Sequence, residues 1–168
     1  LKYSAENGDI EAQKLLGDFY RNGIGTPKNY FRAVKWLSKA ADGGHTGAQV
    51  ALAFMYKSGE GTVVNPAETF KWLKAAGERG EAKANLFLGC LVLQGDGIPK
   101  DPVQAFEFFK RAAESGEVAA QIYLAEMLQK GIGIRANTFE ARQWWAKAAK
   151  QGSIAAMVSL ADLLQQEK

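Results

Sequence analysis

Read as apolar and polar positions, the chain repeats itself. Ala12, Leu16 and Phe19 lie four and then three residues apart, which puts them on one helix face. The pattern returns as Ala48, Leu52 and Met55, as Ala84, Leu88 and Leu91, as Ala120, Leu124 and Met127, and as Ala156, Leu160 and Leu163. The step between copies is always 36 residues, and a constant period of this length sets the architecture ahead of any single motif. These positions predict the buried face of a first helix, A, in every copy. Beside each leucine stands a small residue: Gly17, Ala53, Gly89, Ala125 or Ala161. Glycine inside a helix costs roughly 0.5–1 kcal/mol against alanine. Its use here predicts that another backbone crosses close by, so that Gly89→Leu is disruptive and Gly89→Ala mild.

Helix A runs into the loops Gly23-Ile24-Gly25, Gly59-Glu60-Gly61, Gly95-Asp96-Gly97 and Gly131-Ile132-Gly133. The first glycine of each suits a left-handed helix stop. A second helix, B, is expected to start at the N-cap residues Asn29, Asn65, Asp101 and Asn137, with Pro66 and Pro102 at the first helical position. Glu68, Gln104 and Glu140 stand at capping-box spacing, and Arg32 breaks that pattern. Helix B offers Trp36, Trp72, Phe108 and Trp144 to the core, with Leu37, Leu73, Phe109 and Trp145 beside them, and ends near Gly44, Gly80, Gly116 and Gly152. Gly77 replaces the alanine found at 41, 113 and 149, which predicts that the second helix B frays early.

The chain thus reads as one domain over 1–168. Residues 1–8 are the end of a preceding repeat, 9–44, 45–80, 81–116 and 117–152 are full repeats, and 153–168 form a terminal helix. Leu1 stands at the Leu37 position, so the chain starts in mid-repeat, as expected of a piece of a longer array. Leu1 and the apolar flank of the helix from Ile10 are expected to be exposed, which predicts weak self-association through the truncated ends. Stacked helix pairs of this size imply an all-α, right-handed α-solenoid, each unit burying its face against its neighbours.

The residues Ala12, Leu16, Gly17, Tyr20, Gly23 and Gly25, followed by Ala33, Trp36, Leu37, Lys39, Ala40, Ala41 and Gly44, resemble the Sel-1-like repeat of the tetratricopeptide-like superfamily. The resemblance spans the chain in register. It departs locally, with Val92 and Leu128 at the helix A tyrosine and Thr69 at the first helix B alanine. It implies a non-enzymatic adaptor or scaffold that binds a partner protein or peptide. Relatives include eukaryotic adaptors of endoplasmic-reticulum protein degradation, bacterial regulators and host-interaction factors, and toxin-neutralising immunity proteins. A dedicated toxin-neutralising inhibitor is therefore an alternative, and an enzyme of unrecognised type a weaker one. A cysteine-rich branch staples each repeat with a disulfide, which Cys90 alone cannot do.

Chemistry narrows the picture further. The single histidine and single cysteine nearly exclude zinc sites and Cys–His or Ser–His–Asp catalysis. His45 falls in the inter-repeat turn, where Asp9, Glu81, Glu117 and Ser153 stand in other copies, and reads as a turn residue. The Gly-x-Gly loops lack the Gly-Lys-Ser/Thr ending of a phosphate cradle, and no Ser-x-x-Lys nucleophile motif occurs. No cofactor or metal is expected. A net charge of +3 is too mild to indicate nucleic acid. Lys35, Lys39, Lys71, Lys74, Lys110, Arg111, Lys147 and Lys150 gather late in helix B, where cations complement the helix dipole. No apolar run reaches membrane-spanning length, so no membrane insertion is expected, and the cysteine usage is compatible with cytoplasmic, periplasmic or secreted settings.

Composition leaves one surface to consider. Positions 14, 18 and 21 of helix A and their equivalents lie roughly 140–160° from the leucine face, so the repeat core does not need them apolar. The first copy has Lys14, Asp18 and Arg21, a solvated set. Then come Val50, Phe54 and Lys57, Leu86, Cys90 and Leu93, and Ile122 and Glu126 followed by Gln129. The stripe turns apolar in the middle of the chain. In tetratricopeptide-like solenoids it lines the concave face, and here it predicts a groove with Phe54 as anchor, Leu86 and Leu93 as floor and a charged rim. The competing expectation is that tight curvature buries the stripe within the chain.

Overall fold

The computed structural model describes residues 1–166. Among them are ten α-helices and no strand: α1 (Lys2–Glu6), α2 (Ile10–Asn22), α3 (Tyr30–Asp42), α4 (Thr46–Ser58), α5 (Pro66–Glu78), α6 (Ala82–Gln94), α7 (Pro102–Glu114), α8 (Val118–Lys130), α9 (Thr138–Lys150) and α10 (Ile154–Gln166). Even-numbered helices are helix A of each repeat, and odd-numbered ones helix B. The terminal helix expected over 153–168 is thus seen to Gln166, and residues 167 and 168 lie outside the described residues. The helices divide into two compact units, one over Leu1–Glu81 and one from Ala82 onward.

Each unit has its own core on the predicted face. In the first, Leu37, Leu52, Met55 and Leu73 are buried, and Ala5, Ala12, Leu16 and Trp36 cluster with Tyr20 packed against them. In the second, Leu88, Phe109, Leu124, Met127, Leu128 and Trp145 are buried. The small helix A residue does sit at a close crossing, but the nearest obstacle is a side chain rather than a backbone. A Cβ on Gly17 would stand 2.7 Å from Leu37 Cγ, and one on Gly89 2.6 Å from Phe109 Cε1.

Helix A ends as expected, with Gly23, Gly59 and Gly131 in the left-handed region as C-caps. The second loop glycine has a separate reason. A Cβ on Gly61 would overlap the Tyr30 carbonyl, and one on Gly133 the Pro102 carbonyl, so each loop rests on the first turn of the preceding helix B. Asn29, Asn65, Asp101 and Asn137 cap helix B, each accepting from the N–H three residues on.

The reciprocal half of the capping box is not formed. The N-cap backbone N–H groups instead donate across to helix A: Asn29 to the Tyr20 carbonyl at 2.7 Å, Asn65 to Tyr56 at 2.9 Å, Asp101 to Val92 at 2.8 Å and Asn137 to Leu128 at 2.8 Å. With that donor taken, the Glu68 carboxylate turns to Lys71 and the Trp72 indole N–H, and Glu140 to the Asn137 side-chain amide. Gly77 does not shorten its helix. Helix α5 ends at Glu78, in register with the other B helices, because Gly77 is buried and its carbonyl accepts from Gly80 N–H at 3.1 Å. Tertiary packing here outweighs intrinsic propensity.

Candidate functional site

The joints between repeats place the helix A residues. Gln13, Gln49 and Gln121 occupy one repeat position and are buried. Their side-chain amides donate to the carbonyls of Ala5, Ala41 and Ala113, at 3.1, 3.1 and 3.3 Å, near the end of the preceding helix B. A buried carbonyl at a helix end needs such a donor. Gln151 in turn donates to Gln121 Oε1 at 2.9 Å, whereas Gln49 Oε1 has no partner among the described residues. The first free N–H groups of helix A are met by Asp9, His45 and Ser153 side chains. His45 is therefore an N-cap as well as a turn residue: Nδ1 accepts from Ala48 N–H at 3.2 Å, and Nε2 lies 3.0 Å from Glu11 Oε2. The tautomer that satisfies both carries its proton on Nε2.

So held, the A helices present the 14/18/21 stripe half-buried rather than sealed. In the first unit Lys14, Asp18, Arg21, Val50 and Phe54 are partly accessible and Lys57 is exposed. Lys14 pairs with Asp18 at 2.9 Å, and Arg21 faces Glu60 at 3.9 Å. Glu60, the middle residue of a Gly-x-Gly loop, is a rim residue that the helical spacing did not reveal. In the second unit Leu86, Cys90, Leu93, Ile122 and Glu126 are partly accessible too. Burial of the whole stripe by curvature does not occur. Phe54 belongs to the first unit, and Leu86 and Leu93 to the second.

Tyr123 is a neighbour of the candidate stripe that sequence reasoning missed. Its ring stacks on Phe109 with centroids 4.7 Å apart, and its phenol is hydrogen-bonded with Cys90. The phenol pKa is raised above the ordinary 10.0, first by negative charge on Cys90, then by burial, by the hydrogen bond with Cys90 and by Glu126. No other copy of the repeat carries tyrosine at this position, which is Leu15, Ala51, Phe87 or Ser159 elsewhere, so the period offered no signal.

Some of the late helix B cations have partners besides the dipole. Lys39 and Lys147 ride over Trp36 and Trp144, at 4.7 and 3.8 Å from the ring centroids, and Lys71 lies 4.8 Å over Trp72. The ring quadrupole attracts such cations. The lysines are thus partly spent on covering indole faces. Among the described residues, no helix is long and apolar enough to cross a membrane.

The Sel1 repeat profile matches residues 10–45, 46–81, 82–117 and 118–153. A solved structure described as a protective antigen present in uropathogenic Escherichia coli strains and displaying an SLR fold is 37% identical, with a TM-score of 0.91 over 96% of this chain and 35% of that one. A Sel1 repeat protein from Oxalobacter formigenes is also 37% identical, with a TM-score of 0.78 over 94% of this chain and 62% of that one. A curated relative, the putative sel1-like repeat-containing protein L18 of Acanthamoeba polyphaga mimivirus, is 46% identical over 41 residues, covering 24% of this chain and 7% of its own length. The chain therefore spans less than two thirds of each of these relatives. Repeats of this kind form all-α solenoids that generally mediate protein–protein interaction and are typically non-enzymatic scaffolds. With its four matched repeats the chain belongs to the Sel1 repeat family.

Proposed function

We propose that the protein is an interaction scaffold whose partner, a protein or peptide, lies along the 14/18/21 stripe of the A helices. The observation that carries this reading is the half-open state of apolar side chains that the repeat cores do not require: Val50 and Phe54 in one unit, Leu86, Leu93 and Ile122 in the other. Apolar residues left accessible beside charged ones have the make-up of an interface centre and its rim. In the first unit Lys57 stands exposed near Phe54 in sequence, and the Arg21–Glu60 and Lys14–Asp18 pairs supply the polar edge. In the second, Glu126 and Gln129 do so.

The test begins with capture from the source cell by the purified chain, followed by identification of the captured protein by mass spectrometry. Binding of that protein is then measured to Phe54→Ala and Leu86→Asp. Each is expected to lose at least ~2 kcal/mol of binding, the scale of a hot-spot truncation, with helix content unchanged. Full affinity in both folded variants refutes the stripe as the site. The same titration separates a dedicated inhibitor, with tight one-to-one binding to a toxin, from an adaptor that binds several partners weakly.

A further inference from the structure

We propose that the loop edge of the first unit is a peripheral docking surface for an anionic lipid bilayer. Phe31, Val63 and Val64 enter the headgroup region, and Lys28, Arg32 and Lys35 meet the lipid charges. The inference does not rest on the stripe reading, since it uses the start of α3 and the loop before α5 rather than the A helices.

Phe31, in the first turn of α3, is 74% exposed, and Val63 and Val64 in the loop are 82% and 57% exposed. The fold brings the two segments together. A Cβ on Gly61 would stand 2.8 Å from the Phe31 backbone nitrogen, so the loop touches α3 at Phe31, two residues before Val63. The exposure belongs to the repeat position and not to this one copy, because Ala67 and Val103, the counterparts of Phe31 in later repeats, are exposed as well.

Charge singles out this copy. From residue 28 to residue 41 the chain carries Lys28, Arg32, Lys35 and Lys39 and no acid. Lys35 lies one turn beyond Phe31 on the same face of α3, Arg32 follows Phe31, and Lys28 precedes the Asn29 cap. These three are exposed, and among the described residues none of them is in an ion pair. Lys39 covers Trp36. Glu60, the one acid between Gly59 and Asn65, faces Arg21. Other repeats break the arrangement: Ala67 replaces the ring in the second, and Glu107 and Gln143 replace Lys35 in the third and fourth.

An apolar tip flanked by cations complements an apolar layer that lies under negative charge. Side chains this exposed stand proud of the edge rather than line a groove. The fluid boundary between headgroups and acyl chains takes such side chains without a matching shape. Each nearby cation adds to the attraction of an anionic leaflet. The contact is peripheral, since among the described residues no helix is long and apolar enough to cross a membrane.

Co-sedimentation of the 168-residue chain with vesicles provides the test. The chain should pellet with an equimolar mixture of phosphatidylcholine and phosphatidylserine and far less with phosphatidylcholine alone. Binding should fall as salt is raised, because salt screens exposed charges. Phe31→Ser should weaken binding roughly tenfold, the scale of one apolar side chain. Lys35→Glu should weaken it at least about fivefold, the scale of one cation near the surface. Val103→Ser removes an exposed apolar residue at the same repeat position but beside Glu107, and should leave binding unchanged. Circular dichroism checks that each variant stays helical, and Val63→Ser replaces Phe31→Ser if that one does not. No binding to the mixed vesicles, equal binding to both kinds, full binding by Phe31→Ser and Lys35→Glu, or an equal loss in Val103→Ser would each overturn the proposal. Capture of an acidic protein that Lys35→Glu releases, without vesicle binding, would make the occupant a protein and overturn it as well.

Discussion

At the scale of single residues, position in the repeat was legible and its physical cause was not. Small residues beside every core leucine announced a crossing, but the same five letters are compatible with a backbone or a side chain overhead. The structure puts Phe109, buried and stacked on Tyr123, over Gly89. Gly89→Ala is then not the mild change that Ala53 and Ala125 suggest. The ring cannot yield as the end of a long flexible chain would, and overpacking costs ~1–3 kcal/mol, more than the helix gains from alanine. Thermal unfolding of Gly89→Ala should show a lower Tm, with much of the loss recovered in the double variant with Phe109→Leu. An unchanged Tm for Gly89→Ala would show that the Phe109 ring moves aside at little cost. Tyr123 gives a second prediction. An acid whose pKa is raised by folding stays protonated longer in the native state. The unfolded chain therefore releases its proton first, and stability falls as pH climbs from 10.0 through the native value. In an absorbance titration one of the five tyrosines should ionise late, and Tyr123→Phe should abolish that late phase.

The elements came through more fully, because their determinants are local. Glycine stops, Asx caps and apolar spacing place every helix within a residue or two of where it lies, and Gly77 failed as a breaker only because packing holds it. The recurring glutamines went unread. A polar residue next to a core alanine looks like one facing water, and only the fold shows that its amide reaches a carbonyl eight residues back. These joints should differ in strength. Gln121 donates to Ala113 and accepts from Gln151, while Gln49 donates to Ala41 and leaves Oε1 unpaired. Methionine, which the chain itself uses at position 157, fills a similar volume without hydrogen bonds. Gln121→Met strands the buried Ala113 carbonyl, which costs ~1–3 kcal/mol, and loses the bond from Gln151, whose exposed amide turns to water; Gln49→Met strands the Ala41 carbonyl likewise but also removes a group that was already unsatisfied. Urea unfolding should therefore rank Gln121→Met as clearly the less stable of the two. Equal midpoints would mean that the second hydrogen bond of Gln121 contributes nothing.

For the whole molecule, the period predicted the repeats and the stripe, but a helical wheel could not say how open that stripe is. Exposure depends on the packing of neighbouring helices, and it came out intermediate at nearly every position. The question left at this scale is cooperativity. Two compact units are distinguishable, yet the 36-residue step passes through residue 81 without a break in spacing or turn type. We propose that residues 1–168 behave as a single domain. In a repeat array, stability is a sum of unit terms and nearest-neighbour terms, and adjacent units melt together when the neighbour terms dominate. The tryptophans allow this to be measured, since Trp36 and Trp72 report on the first unit and Trp144 and Trp145 on the second. Replacing either pair with phenylalanine leaves a chain whose fluorescence follows one unit, while circular dichroism follows both. For each variant the fluorescence and dichroism midpoints in urea should coincide. A destabilising change confined to the second unit, such as Gly89→Ala, should lower the midpoint read by Trp36 and Trp72 as well. Separate midpoints, or a first unit indifferent to Gly89→Ala, would establish two independently folding halves.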